Sequence, residues 1–209
     1  MTNIISRFCR IKKASTNDLR LDIRTNTVEE QIDNNFASIY KHIELDYPKF
    51  FKMDDLSKYG IIAAEYLFEN QDWKGNCLDT EIGIVISNAS GSLETDLEFH
   101  KTINNKERFF PSPAIFVYTL SNIVMGEICI KHKIKGENMF LLSETLPSEQ
   151  LTNYVSDLLD ADKIRVAVVG WVELRNGIPD VLLMYVAKQN TLVEQTMEFS
   201  AEQIELLYR

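Results

Sequence analysis

The feature that most constrains the fold is the run EIGIVISN at residues 81–88, in which Ile and Val dominate and apolar residues are hardly interrupted. A strand with one face in water alternates apolar and polar residues, whereas this run is apolar on both faces. It therefore predicts a central strand covered by helices on both sides. The chain then enters NASGS, where Gly91 fits a tight turn better than a phosphate loop, because the GxGxxG spacing and a following Lys are absent.

Two later runs are the clearest strands of the chain, KIRVAVVGWVEL at residues 163–174 and PDVLLMYVAKQ at residues 179–189. The residues between them include Asn176 and Gly177. An Asn-Gly pair between two β-rich runs is a strong hairpin signal, because both residues tolerate the positive φ angles of a tight turn. We therefore expect the last strand to be antiparallel to its neighbour.

The rest of the pattern alternates strands and helices. The spacing predicts strands at 4–11, 19–23 and 139–142, and helices at 27–43, within 49–71, up to about 100, at 114–133, at 148–159 and at 201–208. Residues 72–80 are predicted as a loop. This order indicates an α/β fold in one domain, 1–209, with a mixed five-stranded sheet, helices on both faces and an antiparallel last strand.

Composition excludes several classes of function. With 209 residues, 45% hydrophobic residues and a net charge of −9, the chain is globular and unsuited to binding nucleic acid or anionic membranes. Cys9, Cys77 and Cys129 are far apart, which favours reduced thiols over disulfides or a metal site. No apolar run approaches the roughly 18 residues of a membrane span. The sequence predicts a soluble, cytoplasmic protein without a metal or cofactor.

The stretch GENMFLLSETLPSEQL, residues 136–151, is the best place for chemistry. It reads as a strand that delivers its last residues to the N-terminus of a helix, where free backbone N–H groups stabilise negative charge. Ser143, Thr145 and Ser148 are possible nucleophiles, but a hydroxyl needs an adjacent base, and no His or Lys is well placed in the sequence. Capping of the helix by Thr145 or Ser148 is the favoured interpretation.

Other titratable residues form no evident catalytic set. His42, His100 and His132 lie in polar stretches without metal-ligand spacing, and they are predicted at solvated surface positions. The pairs Asp54-Asp55 and Glu29-Glu30 are adjacent in sequence, so on a helix their side chains diverge, and solvated faces explain them.

Four segments together resemble the β-ketoacyl-ACP synthase superfamily: KFFKMDDLSKYGIIAAEYLFEN, EIGIVISNASGSLETDLEF, FFPSPAIFVYTLSNIVMGEICIKHKIKGEN and KIRVAVVGWVEL. The third is the most specific, through Ser112-Pro113, Asn122, Gly126-Glu127-Ile128 and the closing Gly136-x-Asn138. The likeness covers about residues 49–174 and is nearest to small proteins that correspond to the N-terminal domain, such as a truncated chain length factor. It implies a thiolase-like half-fold.

The resemblance also implies where an active site would lie. Active synthases hold a nucleophilic cysteine at a strand-to-helix elbow, and two histidines come from a second half of the fold. Aligned on Gly136-Glu137-Asn138, the cysteine position falls near Thr145, and the neighbouring Glu144 and Leu146 are not cysteines either. A histidine-bearing second half has no counterpart in the 209 residues. The family dimerises along its first half, which makes Ser112, Phe116, Tyr118, Thr119 and Asn122 candidates for the acyl tunnel or dimer interface.

Three functions follow from the resemblance. The first is a catalytically silent subunit, similar to a chain length factor, that pairs with a full-length ketosynthase or with itself and serves acyl carrier protein. Such a half-fold is expected to leave the apolar face of a central helix uncovered. The second is an acyl-transfer or decarboxylating enzyme that uses Thr145 or Glu144 at the elbow. The third is a stand-alone protein that binds acyl chains or acts as a scaffold.

Overall fold

The computed structural model describes residues 2–15, 19–69, 74–75, 77–104, 107, 109–189 and 197–209. Within these ranges the chain forms one sheet of eight strands. The strands are β1 (Asn3–Lys13), β2 (Arg20–Thr25), β3 (Glu29–Asp33), β4 (Ile82–Asn88), β5 (Asn138–Leu142), β6 (Val166–Arg175), β7 (Ile178–Lys188) and β8 (Met197–Glu198). Their order is β3-β2-β1-β7-β6-β4-β5, and β8 pairs with one end of β1.

The predicted mixed sheet is confirmed in type, while the predicted number of five strands is too low. β4 is parallel to both β5 and β6, whereas β7 is antiparallel to β6 and to β1. The strands β1, β2, β4, β5, β6 and β7 lie where the sequence predicts strands, including the one at 19–23, whereas β3 and β8 were not predicted. Residues 72, 73 and 76 of the predicted 72–80 loop lie outside the described residues.

The described part of the chain also forms seven helices. They are α1 (Phe36–His42), α2 (Asp55–Phe68), α3 (Leu93–Ile103), α4 (Pro113–Phe116), α5 (Ile123–His132), α6 (Ser148–Asp160) and α7 (Ala201–Tyr208), with short 3-10 turns at Pro48–Lys52, Asp79–Glu81 and Val117–Thr119. The single helix predicted at 114–133 is thus divided into α4, the turn at Val117–Thr119 and α5. Within the described residues no single helix is long and apolar enough to cross a membrane; the strongly bent pair Pro113–Thr119 and Ile123–His132 passes that test only by length and composition.

Strand β4 lies inside the sheet, between β6 and the edge strand β5, and all seven of its residues are buried. Ile84 and Ile86 pack into the apolar cluster that contains α2 and α5, and Val85 packs into the cluster on the opposite face with α6 and α7. Burial on both faces explains why its sequence does not alternate. The prediction of a strand covered on both faces is confirmed, although β4 lies next to the edge of the sheet and not at its centre.

The predicted helix at 27–43 is wrong in its first part. Residues 29–33 form β3, which pairs with β2, and the helix begins only after Asn35, whose Oδ1 accepts hydrogen bonds from the backbone N–H groups of Ala37 and Ser38. Thr25, not Thr27, organises the local turn, because its Oγ1 accepts from the N–H of Val28. Pairing with a neighbouring strand thus outweighs the local helix signal in TVEEQ.

Two predictions of solvated charge are also wrong. His132 is only 9% exposed; its ring packs on Phe68 and its Nε2 lies 3.0 Å from Glu65 Oε1. Asp54 caps α2 by accepting from the N–H of Ser57, and it also accepts from the hydroxyl of Thr95. Burial raises the pKa of Asp54 in spite of these hydrogen bonds. Both groups hold helices in place.

Candidate functional site

The predicted strand-to-helix elbow is present. Strand β5 ends at Leu142, the N–H of Ser143 donates to the carbonyl of Asn88 over 2.9 Å, and α6 begins at Ser148. Glu144 and Thr145 lie in the intervening segment with exposed side chains. The elbow therefore presents a carboxylate and a hydroxyl where the family resemblance implies a thiol.

The start of α6 is not capped as predicted. Pro147 is the residue before the helix and no side chain accepts a hydrogen bond from the first turn. The hydroxyl of Ser148 instead donates to Glu205 Oε1 over 2.7 Å, which ties α6 to α7. The first N–H groups of α6 thus receive no side-chain cap from Thr145 or Ser148, and the capping interpretation is wrong.

A cavity of about 650 Å³ lies next to the elbow. Its floor is the end of the β6–β7 ladder, and its walls are the elbow and α7. The lining residues are Ala89, Glu144, Thr145, Leu146, Trp171, Glu173, Arg175, Asn176, Ile178, Asp180, Glu205 and Tyr208. Glu144 and Thr145 therefore share one cavity, as sequence reasoning expects of two residues at an elbow.

Glu173 is a functional candidate that the sequence analysis missed. It is 6% exposed, and its Oε2 accepts from the backbone N–H groups of Ala89 and Ser90 at 2.7 and 2.9 Å. These bonds hold the turn after β4, in which Gly91 has a φ of +60°. The signal in the sequence is a lone carboxylate in the otherwise apolar run VAVVGWVEL. A charge in such a run has to be hydrogen-bonded or to face a cavity.

The cavity holds no conventional catalytic set. Among its described lining residues there is no Cys, His or Lys that would serve as nucleophile or base. The three cysteines lie on β1, before β4 and on α5, and all three are free. Burial raises the pKa of Cys9 and Cys77, and it raises that of Cys129 to about 11, so these thiols stay protonated near neutral pH.

The predicted tunnel or interface residues occupy different environments. Tyr118 is buried and its hydroxyl donates to Glu127 Oε1 over 3.1 Å, whereas Phe116 is exposed and contacts Phe99. Ser112 caps α4, the hydroxyl of Thr119 donates to the carbonyl of Phe116, and Asn122 precedes α5 with an exposed side chain. Their roles in a tunnel or interface stay a prediction.

Eight exposed apolar side chains lie on α3, in the segment 109–120 and at the end of β5, and we call this set the α3 patch. Its members are Leu93, Leu97, Phe109, Phe110, Phe116, Val117, Leu120 and Leu142. Helix α3 contacts α4 and the turn at Val117–Thr119. Apolar patches of this kind on a protein surface mark sites of interaction.

Strand β5 adds an open sheet edge to the α3 patch. Among the described strands it pairs only with β4, and its sequence NMFLL contains no charge and no proline. The opposite edge, β3, has the sequence EEQID, whose charges discourage pairing with another chain. The sheet is thus protected at one edge and open at the other.

Comparisons with known proteins agree with this geometry. No family model matches the chain. It has a TM-score of 0.63 to "The ishigamide ketosynthase/chain length factor", with 16% identity over 93% of this chain and 64% of that one. It has a TM-score of 0.59 to a chain of the complex "Ketosynthase (ApeO) in Complex with its Chain Length Factor (ApeC) from Xenorhabdus doucetiae", with 12% identity over 100% of this chain and 90% of that one. The fold is that of ketosynthases and chain length factors.

Two further comparisons support the same thiolase-like fold. A chain of the AntDE:AntF complex, described as a type II PKS acyl-carrier protein with its ketosynthase bound to the hexaketide, gives a TM-score of 0.58 at 10% identity over 90% of this chain and 63% of that one. The 3-oxoacyl-[acyl-carrier-protein] synthase 2 of Rhizobium meliloti (strain 1021) is 25% identical over 124 residues. That match covers 58% of this chain and 30% of the synthase. The resemblance to the synthase superfamily is confirmed at the level of the fold.

Proposed function

We propose that this chain is a catalytically silent ketosynthase-like subunit, similar to a chain length factor, which pairs with an active β-ketoacyl-ACP synthase. The observation that carries the proposal is the elbow. It is a strand-to-helix connection, as the family resemblance implies for the nucleophile, but it offers Glu144 and Thr145 instead of a thiol. Among the described lining residues there is no His or Lys that would activate the hydroxyl of Thr145.

The open edge and the α3 patch support pairing with another chain. A strand of five residues without charge or proline presents free backbone groups to a second strand, and the neighbouring apolar side chains supply area to bury. The resemblance implies dimers that form along the first half of the fold. In such a dimer, the edge strand of a ketosynthase with the same fold would lie beside β5. The partner in this proposal is therefore a full-length ketosynthase, and self-pairing is the competing arrangement.

The outer face of α6 bears on how a half-fold remains stable. The exposed residues of this helix are all polar, namely Glu149, Gln150, Asn153, Asp157 and Asp160. Leu151, Val155 and Leu159 face the sheet. For α6, the expectation of an uncovered apolar helix face is therefore not met. Exposed apolar side chains lie instead at the α3 patch.

The setting we propose is the building of fatty-acyl, polyene or polyketide chains on acyl carrier protein, in the cytoplasm. The names of the similar structures support it, since they describe a ketosynthase with its chain length factor and an acyl-carrier protein with its ketosynthase. One of these solved chains is nearly as short as the present one.

Co-purification tests the pairing. A tagged chain co-expressed with the ketosynthase of its own host is expected to retain that ketosynthase, and Leu97→Asp combined with Leu120→Asp is expected to lose it, because two charges would be buried at the interface. The matched control is Leu206→Asp on α7, since Leu97, Leu120 and Leu206 are 52%, 56% and 58% exposed. Retention by the double variant, or equal loss in the control, would contradict pairing through the α3 patch.

An enzymatic role is the second candidate, because Glu144 and Thr145 both line the 650 Å³ cavity. Mass spectrometry after incubation with malonyl- or acyl-ACP separates the two functions. The silent subunit leaves the masses of protein and carrier unchanged. An acyl group on Thr145, or decarboxylation that is lost in Glu144→Ala, would establish the enzyme instead.

A further inference from the structure

The floor of the elbow cavity is built from alternate residues of two paired strands. Trp171, Glu173 and Arg175 follow each other at a spacing of two on β6, so their side chains share one face of the sheet. On β7 the lining residues are Ile178 and Asp180, which stand opposite Arg175 and Glu173 in the register. The cavity thus has a rigid floor, and its shape follows from the ladder.

Three buried polar atoms of this floor have no hydrogen-bond partner in the part of the chain that the structure describes. One of them, Oδ1 of Asp180, forms an ion pair with Arg10. The other two are the indole Nε1 of Trp171, a side chain that is 3% exposed, and Oε1 of Glu173, which is 6% exposed. The other oxygen of Glu173 is fully used by the N–H groups of Ala89 and Ser90. Buried donors and acceptors in native proteins are almost always paired, so an unpaired donor and acceptor beside one cavity indicate a bound group.

The charge around the cavity restricts what can bind. Four carboxylates line it, those of Glu144, Glu173, Asp180 and Glu205, against the single cation of Arg175. Asp180 is neutralised by Arg10 on β1, whose Nη1 lies 2.7 Å from Asp180 Oδ1. The remaining excess of negative charge disfavours carboxylates and phosphates.

The apolar lining defines the rest of the ligand. Leu146 from the elbow, Ile178 from the hairpin and the rings of Trp171 and Tyr208 enclose a space wide enough for a medium-length chain. We infer that the cavity binds a neutral ligand with an apolar body that ends in a hydroxyl or a primary carboxamide. Such a group accepts from the indole N–H of Trp171 and donates to Oε1 of Glu173 at the same time. The inference is independent of the proposed pairing with a ketosynthase.

A series of eight-carbon probes tests this site on the full chain. The probes are 1-octanol, octanamide, 2-octanone and octanoate, and the readout is the ¹⁵N–¹H signal of the Trp171 indole. The sequence has two tryptophans, so the variant Trp73→Phe assigns the signal. We expect 1-octanol and octanamide to shift it in a saturable way, 2-octanone to bind about tenfold more weakly for want of a donor, and octanoate not to bind.

The variant Glu173→Gln makes the test more specific, because it replaces one hydrogen-bond acceptor in the floor by a donor. Its amide oxygen can keep the bonds to Ala89 and Ser90, which turns the other position from an acceptor into a donor. With two donors in the floor, the preference is expected to invert in favour of 2-octanone over 1-octanol. The control Glu202→Gln makes the same chemical change at an exposed position on α7 and is expected to keep the wild-type order.

Several results would overturn the inference. These are an unmoved Trp171 signal with 1-octanol at its solubility limit, equal binding of octanoate or 2-octanone to the wild-type chain, or an unchanged order in a folded Glu173→Gln. If Glu173→Gln does not fold, which its bonds to the turn after β4 make conceivable, the wild-type series alone decides.

Discussion

Buried charges in this chain are placed to stabilise helices. Glu127 on α5 is 2% exposed; one of its oxygens accepts from the hydroxyl of Tyr118 and the other lies 2.7 Å from Nζ of Lys49. Burial, followed by the negative charge of Glu127, raises the pKa of Tyr118, which keeps this donor protonated. The contact links α5, the turn before it and the segment ahead of α2.

The first prediction concerns this buried carboxylate. Glu127→Ala is expected to lower the free energy of unfolding by about 2 kcal/mol, because the buried hydroxyl of Tyr118 loses its acceptor. Urea denaturation measures the change. The comparison variant is Asp162→Ala, which removes an exposed carboxylate paired with Lys188 and is expected to cause no measurable loss. Equal effects of the two variants would contradict the role given to Glu127.

The second prediction concerns pH. Burial opposes the ionisation of Glu65, but hydrogen bonds and charge from His132 and Lys131 outweigh it and hold its pKa below the ordinary range. A carboxyl with a lowered pKa stabilises the fold above its unfolded pKa of about 4.3, and this contribution disappears as the pH falls through the folded value. Glu65→Gln is therefore expected to destabilise the protein at pH 7 and to destabilise it less at pH 3. Urea unfolding at both values checks this, and an equal loss at pH 3 would refute it.

At the scale of elements, apolar pattern and turn chemistry were enough to predict the core. The hairpin between β6 and β7 is found where Asn176 and Gly177 predict it, with φ angles of +52° and +68°. The strand β3 was not predicted, because EEQID does not alternate and contains too few apolar residues to indicate a strand. Its strand conformation depends on its pairing with β2. Of the residues that line the cavity, Glu144 and Thr145 could be predicted, because they are neighbours in the sequence at the elbow. Glu173 and Trp171 could not, because only the pairing of the strands brings them to the cavity.

The third prediction concerns the two sheet edges. Leu142→Lys places a charge at the end of the open edge strand β5, where Leu142 is exposed, and it is expected to abolish retention of a ketosynthase in co-purification while the fold is kept. Glu29→Lys makes a charge change on β3, the edge that is already protected, and is expected to have no effect on retention. If Glu29→Lys lost the ketosynthase and Leu142→Lys retained it, the interface would lie at β3, and the assignment to β5 would be wrong.

At the scale of the whole molecule, the chain combines a ketosynthase-like sheet with surfaces of two different characters. The face formed by α6 is polar on the outside, whereas the α3 patch and β5 present apolar surface and free backbone groups. The proposed pairing with a ketosynthase depends on this second surface.

The most direct test of this account is the mass of the co-expressed pair in solution. Size-exclusion chromatography with light scattering, applied to this chain and the full-length ketosynthase of its host, is predicted to give a single species whose mass is the sum of one 24.1 kDa chain and one ketosynthase. A 24.1 kDa monomer that elutes apart from a ketosynthase homodimer would contradict the proposed pairing.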